Sequence, residues 1–412
     1  MGPELIAYPF LFVALFFEVF ILVTFLSKPA RLARERVSSG WEPAVAIIIP
    51  CYNEESTVAG TAASALALDY PKDKLEVILV DDGSTDGTRA AMEQFRGNPQ
   101  VRILHKENGG KHTALNCGIA STNAEIVGCL DADSFVEPGA LRALLPSFTS
   151  EKVGATTAAM SIHEPKTLIQ HMQNAEYIFG IALRHALCSI NGIYVTPGPF
   201  SFYRKRVIDE LGGFRFGHQT EDMEMALRIQ RAGYAIENAP MARVYTKAPA
   251  TTRKLVKQRT RWTSGFMRNM MYDYRDLVGN RKYGALGLMV LPLGIFAIVG
   301  GLALFFVVVS MAVNSVIQSY LVHRGVPYTF ELAWPAFSFD WFYVPVSLYL
   351  VVTLVTLVIM LSTIWIGKRI SGTRGSLVRG LVGYLAFYGL IAPFWLIRAT
   401  ADVFTGTKRS WR

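Results

Sequence analysis

Six short polar clusters hold the residue types that metal, phosphate and proton-transfer chemistry needs. Asp131 and Asp133 flank Ala132. Sparse, hard carboxylate oxygens of this kind suit Mg²⁺ or Mn²⁺ bridging a diphosphate, with water and phosphate completing the shell. A D-x-D pair alone is equally a solvated turn. Asp81 and Asp82 precede Gly83. Paired carboxylates there accept hydrogen bonds from a nucleobase imide or ribose hydroxyls, and glycine lets the backbone come close. Asn53 and Glu54 form a further polar pair, and Lys111, after Gly109 and Gly110, supplies a cation.

Glu221 and Asp222 follow Thr220 at the start of a helical pattern. Thr220 reads as an N-cap, and acidic residues in a first turn are ordinary partners of the helix dipole. The functional alternative is a general base that takes a proton from an acceptor hydroxyl. Gln258, Arg259, Arg261 and Trp262 share one cationic stretch, LVKQRTRWTSGFMRNMM. Guanidinium forks suit diphosphate, and an indole face suits stacking on a sugar ring. An amphipathic surface helix with Lys254, Lys257 and Arg268 reaching outward explains part of the same pattern.

These clusters need a scaffold that brings them together. Residues 44–49 (AVAIII) and 75–80 (LEVILV) are continuous apolar runs, the pattern of strands buried on both faces. Strands over 101–104 and 125–130 alternate with helices over 54–68, 86–95 and 111–121, with Ser84 or Thr85 capping the second helix. This order predicts a mostly parallel, Rossmann-like α/β sheet with helices on both faces. Ligands bind such sheets beyond the carboxyl ends of the strands. CYNE, DDGS, NGGK and DAD each follow a strand, so all four fall at that edge.

The chain is 412 residues long, 51% hydrophobic and only 18% charged, which excludes disorder and argues against a wholly soluble protein. Apolar runs fill residues 5–26, 285–313, 341–366 and 380–397. Each is long enough for a bilayer span. The first has no basic leader and no small-residue cleavage site, and reads as a retained anchor. It contains Glu18, a candidate channel or helix-contact residue, while Pro292, Pro345 and Pro393 are candidate kinks. Basic stretches at Lys28, Arg31, Arg34 and Arg36, and at Lys368, Arg369, Arg374 and Arg379, place the central region in the cytoplasm. Three later spans would leave the C-terminus outside although the tail GTKRSWR is basic; either the tail breaks the rule or residues 313–340 hold a re-entrant pass. The expected division is 1–40 anchor and basic linker, 41–250 cytosolic α/β domain, 251–283 interfacial helices, and 284–412 membrane region. A net charge of +9 calls for an anionic partner: nucleic acid, anionic lipid or a phosphorylated substrate. Cys51, Cys117, Cys129 and Cys188 form no C-x-x-C pair and read as reduced thiols.

The ordered set DDG, DAD, TED and QRTRW resembles the processive family 2 glycosyltransferases, which include cellulose, chitin, hyaluronan and poly-N-acetylglucosamine synthases. CYNE, DDGSTDGT, NGGKHTALN and CLDADS look most like the poly-β-1,6-N-acetylglucosamine synthases. The resemblance implies a GT-A domain embedded in a multi-span helical membrane domain at the plasma membrane. It implies a UDP-sugar donor, most closely UDP-N-acetylglucosamine, with Mg²⁺ or Mn²⁺ as cofactor. The partners it implies are a growing polysaccharide, membrane lipid and, as in some relatives, a small membrane accessory subunit, but no nucleic acid.

Carried over by position, Asp82 contacts the uridine, Asp133 is the direct metal ligand of the 131–133 pair, and Asp222 is the base. Gln258, Arg259, Arg261 and Trp262 bind pyrophosphate and acceptor, and residues 197–205 (PGPFSFYRK) face the acceptor. The run Pro197-Gly198-Pro199 departs from cellulose synthases, which leaves UDP-glucose as the alternative donor. A non-processive transferase acting on a lipid phosphate carrier is the second reading. A transporter with a nucleotide-sensing domain is the third, and no span-rich repeat supports it.

Overall fold

The computed structural model of the chain describes residues 4–27, 40–324, 348–373 and 376–407. An eight-stranded sheet lies at its centre, in the order β3-β2-β1-β4-β7-β6-β8-β5. Its strands are β1 (Val45–Cys51), β2 (Leu75–Asp82), β3 (Val101–Lys106), β4 (Ile126–Cys129), β5 (Ser134–Val136), β6 (Val153–Ile162), β7 (Ser201–Arg204) and β8 (Ala235–Thr246). The helices are α1 (Glu4–Ser27), α2 (Val58–Leu66), α3 (Thr88–Glu93), α4 (Lys111–Ala120), α5 (Ala140–Leu144), α6 (Leu168–Ser189) and α7 (Lys205–Glu210). They continue with α8 (Glu221–Arg231), α9 (Thr252–Arg268), α10 (Leu291–His323), α11 (Leu348–Ser371), α12 (Val378–Gly383) and α13 (Gly389–Phe404).

The four strands expected from sequence are present and mutually parallel, with β1 between β2 and β4. Strand alternation sends Val45, Ile47 and Ile49 into one core with Ala62 of α2 and Leu141 of α5. Ala46 and Ile48 enter the other, with Leu115 of α4 and Met225 of α8. Both faces are buried, which is why the sequence reads as an unbroken apolar run. Gly118 lets α4 lie close against the sheet: a Cβ there would stand 2.6 Å from Ile48. Chain order reverses between β1 and β4, and a crevice opens at such a switch point.

The second half of the sheet is mixed. β7 runs antiparallel to β4 and β6, β5 antiparallel to β8, and β6 parallel to β8. Gly128 of β4 accommodates the ring of Phe202 opposite; a Cβ would collide with it.

Among the described residues, four helical segments are long and apolar enough to cross a membrane, which points to membrane association: Tyr8–Phe25, Leu286–His323, Leu350–Ser371 and Val378–Phe404. α10 stays helical to His323, so the first part of the proposed 313–340 re-entrant pass is ordinary helix. The rest of that segment, Pro345, the linker at Lys28–Arg36, Arg374 and the final tail residues lie outside the described residues. α11 extends through Lys368 and Arg369 rather than ending at 366. α6 joins the two halves of the molecule. A Thr167–Gln170 capping box starts it, and Ile178 and Ile181 pack with Ala159 of β6 and Ile364 of α11. A Cβ on Gly367 of α11 would collide with the Ile178 carbonyl, and one on Gly380 of α12 with the His171 carbonyl. These glycines let the α6 backbone touch the spans directly.

Two expected caps are absent. Gly87, not Ser84 or Thr85, occupies the N-cap of α3. Thr220 stands at the N-cap of α8, but its hydroxyl donates backward to the Gly217 carbonyl (2.6 Å) instead of accepting a helical N–H. Arg268 does not reach outward from α9. It donates to the Asp402 and Thr407 carbonyls and closes the end of α13.

Candidate active site

Three of the clusters meet at one ammonium group. Lys111, the first residue of α4, lies 2.6 Å from Asp131 Oδ1 beyond β4 and 3.2 Å from Glu221 Oε1 in the first turn of α8. The bend before it depends on Gly110, whose φ is 89°. Burial works against the Lys111 charge, yet Asp131, Glu221 and Asp222 together hold its pKa above the ordinary value. Gly198 closes over this group. A Cβ there would stand 2.5 Å from Lys111 Nζ and 2.6 Å from Asp131 Oδ1, so a side chain is excluded. Residues 197–199 therefore cover the site, whereas Ser201–Arg204 of the same segment is interior strand β7. Thr196 Oγ1 donates to the Asp222 carbonyl (2.9 Å) and accepts from the Tyr203 hydroxyl (3.0 Å), which ties α8 to this lid.

Negative charge exceeds positive around this point. Burial, then Asp131 and Glu54, push the Asp133 carboxyl up to about 6. Its Oδ1 accepts only weak bonds from Ser134 and Thr246, at 3.2 and 3.3 Å. Burial and Glu221 likewise push Asp222 up to about 6. Burial opposes Glu221 as well, but Lys111 and its own backbone amide hold it below its ordinary value. Among the described residues no ready-made group of three metal ligands exists. Asp133, crowded by Asp131 and Glu54, still fits a divalent cation that takes its remaining ligands from phosphate and water.

The β2 edge is organised differently. Asp82 accepts from Lys106 Nζ (2.6 Å) and from the Gly109 (3.1 Å) and Gly110 (2.9 Å) amides. Asp81 accepts from the Ser84 amide (2.9 Å) and faces His105 at 3.3 Å. Asn53 sits at φ 56°, with its Oδ1 receiving the Thr85 amide at 2.8 Å, and Glu54 accepts from the Thr57 hydroxyl at 2.9 Å. These four residues shape the crevice wall where β1, β2 and β3 end.

The two arginines of QRTRW separate. Arg261 reaches the acid cluster, where its charge acts on Glu221 and Asp222. Arg259 turns away: it is buried, donates to Glu176 of α6 at 2.7 Å, and lies 4.2 Å over the Trp262 ring and 5.8 Å from the Tyr177 ring. Gln258 keeps an enclosed Oε1 without a hydrogen bond. Sequence reasoning missed Glu176, Tyr177 and Thr196, and it read Tyr203 only as part of the acceptor-facing segment 197–205. Glu176 and Tyr177 carried a readable signal in the helical spacing of α6; Thr196 carried none.

The glycosyl transferase family 2 profile matches residues 46–212, the stretch that contains β1, β2, β4 and the Asp131–Asp133 pair. Poly-β-1,6-N-acetyl-D-glucosamine synthase of Staphylococcus epidermidis is 30% identical over 241 residues, and that of Staphylococcus aureus 28% over 242. The chain spans 58% of the length of these relatives, and the matches cover 58% of this chain. Mannosyltransferase PcManGT from Pyrobaculum calidifontis, solved with GDP-Man and Mn²⁺, aligns with TM-score 0.60 at 19% identity. The alignment covers 98% of this chain and all of that one, so the two share a fold. The α/β domain has the expected GT-A architecture, with long apolar helices attached.

Proposed function

We propose that this chain is a membrane-embedded, inverting glycosyltransferase that polymerises a β-linked polysaccharide from a UDP-sugar, UDP-N-acetylglucosamine before UDP-glucose, and passes it across the plasma membrane. Its catalytic domain works on the cytoplasmic side. The observation that carries this reading is the convergence of Asp131, Asp133, Glu221 and Asp222 around Lys111 at the β1/β4 switch point.

Each residue then has a task. Asp82 and Asp81 hold the uridine end of the donor in the β2 crevice, with Asn53 and Glu54 on its flank. Asp133, with Asp131, would hold Mg²⁺ or Mn²⁺, which offsets charge on the diphosphate when bound. Lys111, Arg261 and Gln258 orient the diphosphate and draw the charge that builds on the leaving UDP. Asp222, ionised at neutral pH, takes the proton of the acceptor hydroxyl as that oxygen bonds to the anomeric carbon and the bond to UDP breaks. Trp262 offers its free surface to the acceptor sugar, held still by the guanidinium of Arg259 on its face.

Membranes carrying the protein, given UDP-N-acetylglucosamine and Mg²⁺ or Mn²⁺, should release UDP and accumulate polymer. Trp262→Ala should lose polymer while keeping nucleotide binding. Product confined to a single-sugar lipid, or full-length polymer from Trp262→Ala, would overturn the polymerase reading.

A further inference from the structure

Among the described residues, Arg184 of α6 is an enclosed cation with no acidic group acting on it. Residues three, four and seven apart share a face of a helix, so α6 turns Tyr177, Gly180 and Arg184 to the same side. That face begins at the site, since Tyr177 lies against Arg259 of QRTRW. Arg184 stands two turns further along, about 10 Å away by helical rise. Its Nε and Nη2 are enclosed and make no hydrogen bond. The charged or titratable groups that act on it are Tyr177 and Tyr194, both neutral at physiological pH. Burial pulls the guanidinium down only to about 10, so it keeps its charge.

The surroundings leave room for a ligand. A Cβ built on Gly180 would meet only Arg184 Nη1, at 3.6 Å, so the helix surface there is open. Tyr194 forms the far wall, edge-on to Phe266 of α9 with ring centroids 5.9 Å apart. The opposite face of α6 rests on α11 and α12 at Gly367 and Gly380, beside the basic residues Lys368, Arg369 and Arg379.

We propose that Arg184, with Tyr177, Tyr194 and the open flank at Gly180, is a subsite for the phosphate of a lipid-anchored acceptor that starts synthesis. The inference rests on the glycosyltransferase reading of the neighbouring site. The donor diphosphate belongs beside Lys111 and Asp131, whereas the groups acting on Arg184 are Tyr177 and Tyr194. A guanidinium fork matches phosphate oxygens in geometry as well as charge. The lipid tail would leave along the spans that carry α6.

Full-length protein in neutral detergent should be titrated with decyl phosphate, decanol and inorganic phosphate, with binding read by calorimetry and by thermal shift. Decyl phosphate should bind and raise the melting temperature, and the other two should not. Arg184→Gln should weaken that binding at least about tenfold, as loss of a charge-assisted contact does, and Arg184→Lys should retain part of it. Without ligand, Arg184→Met should melt above the wild type, because an unpaired buried charge is removed. Equal decyl phosphate binding by wild type and Arg184→Gln, no binding by wild type, inorganic phosphate binding as tightly as decyl phosphate, or a lower melting temperature for Arg184→Met would each overturn the proposal. These binding results stand whether or not the protein turns over a UDP-sugar, so failure of the enzymatic reading would be seen separately.

Discussion

The two sides of the crevice treat their polar groups in opposite ways. At the end of β2, Asp82 receives three hydrogen bonds from within the chain, and Asp81 is bonded to the turn that follows it. Across the crevice, Asp133 and Asp222 face like charge, and Gln258 Oε1 and Arg184 Nε have no partner. The first side is finished by folding. The second is left incomplete by folding. A burial count alone would treat Asp82 and Asp133 alike; their partners separate a carboxylate that builds the site from one that waits in it.

Substitutions can break this contrast directly. Asp222→Asn and Asp133→Asn should each lower UDP release by about 10²–10⁴-fold, the range for loss of an acid-base group or comparable charge chemistry. Neither should lower the melting temperature, because each removes a carboxylate held near its neighbours' charge. Activity of Asp222→Asn equal to wild type would remove it as the base. Chelation should stop turnover, and Mn²⁺ or Mg²⁺ should restore it. Asp82→Ala should lose stability as well as donor binding: it strands two backbone amides and Lys106, and a denaturant series should show about 3 kcal/mol of lost stability. Unchanged stability would mean the β2 edge is not preassembled. The smallest effect concerns pH. Asp222 is held at about 6, so it is ionised above that value and protonated below it. UDP release should therefore fall about tenfold per unit as pH drops below 6, with little change between 7 and 8.

The first half of the sheet was legible because its strands are buried on both faces and read as unbroken β-branched runs. The second half was not. β6 is VGATTAAMSI, small and hydroxylated residues that fit close packing but carry no apolar period, and β8 contains Asn238 and Pro240. Only cross-strand partners such as Gly128 opposite Phe202 make sense of them. In the site, the chemistry of Asp131, Asp133, Glu221, Asp222 and Lys111 could be read from residue type and position at strand and helix ends. The split between Arg259 and Arg261 was half legible: two residues apart on α9 they must point to different sides, but which one turns away from the acid cluster is decided by Glu176, 83 residues earlier. Thr196 was invisible for the same reason: its role lies in a contact with the Asp222 carbonyl, not in any spacing.

The glycine contacts at Gly367 and Gly380 set the α6 backbone directly on α11 and α12, with Ile178, Ile181 and Ile364 packed around them, so the candidate site and the apolar spans are tightly joined. Hydrophobic thickness then becomes a mechanical input to chemistry: when acyl chains shorten or lengthen, the spans retilt and α6 follows, with Glu176 and the Arg259–Trp262 pair in train. Turnover measured in bilayers of graded acyl length reads that coupling, and a flat response would show that the joint slips.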